Sequence, residues 1–313
     1  MEPVFKFQPI SFSWVAIHPQ PQGVVQFMGG AFFGTFPTAF YRYFLKQLFE
    51  AGYTIVAFPF RFSFRHWSIA ASLFAEQNVL QAELIELARK SGYDYHIYLE
   101  NSNYLWVGHS LGCKYIALLE FLSGDRWKAI VQECSSQNES QRVENIIEEI
   151  AGGKKISIKG QSSLLIAPDI SDTESAIPVR SLARLLDKIG LGVLPTRKQT
   201  QCFIARSSLF NLTALISFRD DTVAGNERDK FRSQEIQENS DVLWLIKQLQ
   251  SRKPPLLHQE LPGKHLEPLG VKIGNSIVDL NPLDKFIEPM SRRFIEGVVI
   301  KFLDKLKQRE EIL

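Results

Sequence analysis

The chain has 313 residues, enough for one large α/β domain with an insertion or for two small domains. Its composition is ordinary for a globular protein, 45% hydrophobic and 22% charged. A net charge of +2 gives no general pull toward nucleic acid or an acidic membrane, so neither is expected as a partner.

Cys113, Cys134 and Cys202 are an odd, scattered set that suggests neither a disulfide framework nor a zinc site. The N-terminus lacks a basic-then-apolar signal pattern, and no apolar run approaches the length of a membrane span. A soluble, reducing, cytoplasmic setting is expected.

In chain order, Phe5 to Phe7 and Phe12 to Ile17 read as an antiparallel edge hairpin, and Gly23 to Met28 as a buried strand. The strand runs into Gly29-Gly30-Ala31-Phe32-Phe33-Gly34. A helix then starts near Pro37, where proline suits the first turn, and ends at Gly52. Tyr53 to Phe58 is the next strand. This strand–helix–strand alternation predicts a parallel sheet. An aromatic loop with Phe62, Phe64, His66 and Trp67 precedes a long helix over Ala70 to Lys90.

Tyr104 to Val107 is a short buried strand, followed at once by Gly108-His109-Ser110-Leu111-Gly112 and a helix through Tyr115 to Leu122. Strand, G-x-S-x-G and helix form the arrangement known as a nucleophile elbow. The glycines allow a turn tight enough to lift the serine hydroxyl clear of the strand end. The Leu111 N–H, at the helix N-terminus, is then placed to stabilise an oxyanion.

Ala129 to Gln132 reads as a further strand. From Gln137 to Ser208 the rhythm breaks, with helices predicted over Ser140 to Ile150 and Val179 to Ile189. Ordinary connections are much shorter, so residues 137–208 are expected to form a cap inserted into a core of 1–136 and 209–313. Leu212 to Phe218 restores the sheet, Ser240 to Gln250 is an amphipathic helix, and Pro254 to Leu261 suits an edge strand. Pro282 to Lys307 reads as a long terminal helix.

A nucleophilic serine needs a base, and the base an orienting acid. Asp220 and Asp221 follow the Leu212 strand, where carboxylates of an open α/β sheet face the ligand side. Asp220 is the expected acid and Asp221 the near alternative. His265, in the loop after the last strand, is the expected base. His258 lies within the preceding apolar run, and His18 and His66 precede the serine. His109 belongs to the elbow and should point away from Ser110. Gly30 is the expected second oxyanion donor, with Ala31 the alternative. No phosphate-binding glycine pattern follows a strand, and His and Cys are too dispersed for a metal site.

Taken together, the order serine, aspartate, histidine resembles the α/β-hydrolase superfamily over nearly the whole chain. More narrowly, Met28-Gly29-Gly30-Ala31-Phe32-Phe33-Gly34 with Pro37, Pro59-Phe60, His66 and Gly108 to Gly112 resemble a family of unknown function from cyanobacteria and plant chloroplasts. The superfamily resemblance implies an α/β-hydrolase fold with Ser110 as nucleophile, Asp220 as acid and His265 as base. The narrower one implies no activity.

The expected function is therefore hydrolysis of an ester or thioester with an apolar acyl or alcohol part, without a cofactor. Phe32, Phe33 and Trp67 are the expected substrate-binding aromatics, because both of their loops follow strand ends on the serine's face of the sheet. The alternative is a hydrolase-fold protein that binds an apolar ligand or a partner without turnover.

Overall fold

A computed structural model describes residues 3–170, 192–210, 213–278 and 287–310. The predicted helix over Val179 to Ile189 lies outside the described residues.

The strands of the main sheet are β1 (Gln8–Ile10), β2 (Ser13–Ala16), β3 (Gly23–Met28), β4 (Tyr53–Ala57), β5 (Tyr104–His109), β6 (Ser163–Ile166), β7 (Thr213–Phe218) and β8 (Leu257–Leu261). They lie in the spatial order β1-β2-β4-β3-β5-β6-β7-β8. β1 and β2 pair antiparallel, as does β2 with β4, and every later pairing is parallel. Every residue of β3, β4, β5, β6 and β7 is buried. That is the signature of parallel strands covered on both faces, and it is why these segments read as unbroken apolar runs. The register sets Met28 beside Gly108 and His109 beside Ile166, so the carboxyl ends of β3, β5 and β6 finish level.

The covering helices are α1 (Pro37–Phe40), α2 (Arg42–Glu50), α3 (His66–Ser91), α4 (Leu111–Leu122), α5 (Trp127–Cys134), α6 (Gln137–Ala151), α7 (Arg197–Arg206), α8 (Gln234–Asn239), α9 (Asp241–Gln250) and α10 (Ile295–Glu310). α4 is buried all round except at Glu120, since it packs directly beneath the central strands. α3 turns Ala70, Leu73, Leu80 and Leu84 inward. It begins four residues earlier than its periodicity predicts, which draws His66 and Trp67 into its first turn.

Four expectations are corrected. Ala129 to Gln132 lies in α5; a four-residue apolar run does not distinguish a strand from a one-sided helix, and here Ile130 and Val131 form the buried side. Residues 137–208 are not simply a cap, because they contain β6, an interior strand of the sheet. The terminal helix begins at Ile295, preceded by a three-stranded antiparallel sheet of β9 (Val271–Ile273), β10 (Ser276–Val278) and β11 (Ile287–Pro289). Finally, Cys134 and Cys202 form a disulfide joining α5 to α7, leaving Cys113 free and buried. The bond also runs against the reducing setting expected from scattered cysteines. Among the described residues no helix is long and apolar enough to cross a membrane.

Candidate active site

Ser110 is the single residue between β5 and α4, with φ 55° and ψ −124°. This backbone conformation is rare for a residue with a side chain and costs about 1–3 kcal/mol. Its neighbours make it possible. A Cβ on Gly112 would stand 2.3 Å from the Met28 carbonyl oxygen, and one on Gly108 would stand 2.9 Å from the Cys113 nitrogen. Both are collisions with backbone, so β3, β5 and α4 meet this closely only with glycine at these positions. The Ser110 N–H donates to the Ile166 carbonyl at 3.0 Å, fixing the turn to the end of β6.

The residue expected as base lies in the loop after β8. His265 is nearly buried, and its Nε2 lies 2.8 Å from Ser110 Oγ. Its Nδ1 lies 2.9 Å from an Asp221 carboxylate oxygen, Oδ2. The other oxygen of Asp221, Oδ1, accepts the N–H groups of Val223 at 2.8 Å and Ala224 at 3.0 Å. The carboxylate is thus held by two backbone donors and aimed at the imidazole.

The acid expected at Asp220 is not in this arrangement. The Asp220 side chain is 61% exposed and faces Arg228 at 4.0 Å, whereas that of Asp221 is fully buried. The cause lies in the backbone. Beyond β7, Arg219 and Asp220 continue to pair with the strand-end segment, donating to the carbonyls of Leu261 and Gly263. The chain then turns, with the Asp221 N–H bonded to the Phe218 carbonyl, which swings residue 221 over the sheet end.

Gly30 also departs from expectation. Its N–H donates to Tyr41 Oη at 2.7 Å and is therefore already occupied. Tyr41 Oη lies 2.8 Å from His109 Nδ1, and His109 Nε2 lies 2.8 Å from the His265 carbonyl oxygen. One tautomer satisfies the whole chain: the Gly30 N–H donates to Tyr41, the Tyr41 hydroxyl donates to Nδ1, and the Nε2–H donates to the carbonyl. Burial, reinforced by the neighbouring His265, pushes His109 down to about 3, so it stays neutral as this tautomer requires. Burial likewise pushes the Tyr41 hydroxyl well above its ordinary value, keeping it a donor. The N–H groups of Ala31 and Leu111 have no hydrogen-bond acceptor among the described residues, and both residues line the cavity at Ser110.

That cavity has a volume of 170 Å³. Phe32 and Phe33 line it. Phe32 is 64% exposed at the rim and stacks on Phe62 with ring centroids 4.7 Å apart. Trp67 does not line it: the ring is buried, packed 5.4 Å from Phe203 and 6.3 Å from Phe121. The early start of α3 accounts for this, since position 67 then faces α4 and α7. His66 and Val193 also form part of its wall. The backbone of Leu194 holds that wall in place, donating to the Phe64 carbonyl and accepting from the His66 N–H.

Sequence reasoning did not single out Tyr41, His109 or Val193 for this site. His109 adjoined the serine in the elbow, which was a usable signal. Tyr41 had none, because its contact with His109 spans 68 residues.

A family model described as a protein of unknown function, DUF1350, matches residues 6–296. No curated protein matches the sequence. Among solved structures, the chain is similar to esterase B from Lactobacillus rhamnosis, with a TM-score of 0.54 and 13% identity over 93% of this chain and 78% of that one. The same esterase inhibited by a tributyrin phosphonate gives a TM-score of 0.52 and 14% identity over 93% of this chain and 78% of that one. At such identity the likeness establishes the fold alone, and that fold is the expected α/β-hydrolase fold.

Proposed function

The chain belongs to the DUF1350 family, whose function is unknown, and from its own residues we propose that it is a serine hydrolase cleaving an ester or thioester with an apolar acyl or alcohol part. One observation carries this reading: the unbroken contact from Ser110 Oγ to His265 Nε2 at 2.8 Å and from His265 Nδ1 to Asp221 at 2.9 Å. Ser110 attacks the substrate carbonyl carbon while its proton passes to His265 Nε2. Asp221 orients the ring and stabilises the imidazolium that forms. The N–H groups of Leu111 and Ala31 receive the tetrahedral oxyanion. Collapse breaks the ester bond, and His265 returns the proton to the departing alcohol or thiol. Water, activated by the same histidine, then releases the acid from Ser110. The aromatic rings at the rim and the small cavity support an apolar substrate part.

Mass spectrometry after exposure to a fluorophosphonate tests the reading. A single adduct at Ser110 is expected, abolished in Ser110→Ala. His265→Ala should slow labelling by about 100-fold or more, the usual contribution of a general base. Well-folded protein that forms no adduct at Ser110 would remove hydrolysis and leave the binding alternative.

A further inference from the structure

The cavity beside Ser110 is lined by two titratable side chains that neither the proposed reaction nor the Tyr41–His109 chain uses, Asp169 and His66. His66 is 2% exposed, with both ring nitrogens buried, and the residue forms part of the cavity lining. Neither Nδ1 nor Nε2 has a hydrogen-bond partner among the described residues. The Ser63 backbone lies beside the ring but outside hydrogen-bond geometry. By contrast, both nitrogens of His109 and both of His265 are engaged. A buried imidazole with two unpaired nitrogens is unfavourable unless something meets it, and a ligand in the cavity is the natural partner.

The ring is also fixed in place. Its backbone N–H is bonded to the Leu194 carbonyl, and the ring stands edge-on to Tyr115 with centroids 5.4 Å apart and planes at 86°. Burial, with the Lys114 ammonium nearby, holds His66 well below its ordinary value and hence neutral. A neutral imidazole offers one donor and one acceptor. The neighbouring lysine disfavours a cationic ligand group, Asp169 on the cavity lining disfavours an anionic one, and Phe32, Phe33 and Phe62 on the same lining disfavour any full charge. A neutral oxygen function satisfies all of these conditions.

We propose that the substrate carries, beyond its scissile carbonyl, a hydroxyl or carbonyl oxygen that hydrogen-bonds the His66 imidazole. The enzyme would then be specific for oxygenated esters rather than for plain hydrocarbon ones. This rests on the hydrolase reading for the position of the scissile bond.

Two matched sets locate the oxygen. On the acyl side, p-nitrophenyl butyrate is compared with its 2-hydroxy and 3-hydroxy counterparts. On the alcohol side, propyl butyrate is compared with glycerol monobutyrate. The readout is the ratio of kcat/KM for the oxygenated ester to that for the plain one. Wild type should favour an oxygenated member of at least one set by about tenfold or more, because a site built to bond a hydroxyl rejects the analogue lacking it. In His66→Phe the ratio should fall to near one, and in His66→Gln, which keeps a donor and an acceptor, it should stay well above one. Thermal melts confirm that the variants are folded. A ratio near one throughout for wild type, or a preference that persists in folded His66→Phe, overturns the inference.

Calorimetric titration of the same esters into Ser110→Ala reads the inference without turnover. Tighter binding of an oxygenated member, lost in Ser110→Ala with His66→Phe, supports it, and equal binding overturns it. If wild type hydrolyses no ester while Ser110→Ala still discriminates, the hydrolase reading fails and the His66 subsite stands.

Discussion

Replacing Asp221 by Asn keeps the side-chain shape but removes the charge that faces His265 Nδ1 at 2.9 Å. The amide either turns an NH₂ toward the imidazole or forces the wrong tautomer upon it. We expect Asp221→Asn to lower kcat/KM by about 1,000-fold or more. Asp220→Asn, on an exposed side chain facing Arg228, should stay within about twofold, the scale of a surface ion pair. Measuring kcat/KM for both folded variants on one ester decides the matter, and the opposite ranking would return the acid's role to Asp220. The sequence placed two carboxylates at the right strand end, but the choice between them was not legible there. It depends on how long residues 219–220 go on pairing with the β8 segment, and that pairing is made by backbone atoms common to all residues. Gly30 shows the same limit: its glycine was legible, but the tyrosine hydroxyl that occupies its N–H comes from another element.

Among the elements, α5 and α7 are linked covalently, by a bond between cysteines 68 positions apart. α7 carries Phe203 into the aromatic cluster with Trp67 and Phe121, and it directly follows the segment that walls the cavity at Val193. Closing so long a loop restricts the unfolded chain, so replacing both cysteines by serine should destabilise the protein by about 2–4 kcal/mol. Urea melts of the double variant, and of wild type with and without reductant, check this; unchanged midpoints would mean that the bond does not constrain the unfolded chain. Elements with continuous apolar runs, such as β3 and β7, were legible to within a residue or two. β6 was missed because its four residues, Ser163–Ile166, are too few to stand out in a stretch that otherwise lacks periodicity. The edge strand β8 was legible from the prolines before it, whereas the first strand of the hairpin lies at Gln8–Ile10, with Pro9 inside it, and not at the expected Phe5 to Phe7.

For the whole molecule, the buried neutral His109 links folding to acidity. Its folded value is depressed to about 3, far below the 6.5 of an exposed imidazole. The unfolded chain therefore takes up a proton that the folded chain refuses. This contribution to stability is complete above pH 6.5 and declines as pH falls toward 3, by about 1.4 kcal/mol per pH unit. Urea midpoints measured from pH 7 to pH 4 should fall steeply in wild type. In His109→Gln, which can still bridge Tyr41 and the His265 carbonyl, the slope should be shallower by one proton. Equal slopes would show that His109 does not carry the linkage.

Because the other two cysteines are joined, Cys113 is the chain's sole free thiol, and it sits three residues after Ser110 with none of its surface exposed. Burial also raises its thiol well above the ordinary range, leaving almost no thiolate in the folded state. The molecule therefore carries its own chemical clock. An aromatic disulfide reagent should find nothing to react with in the closed protein, and its slow colour change would time each opening of the elbow, with no label attached.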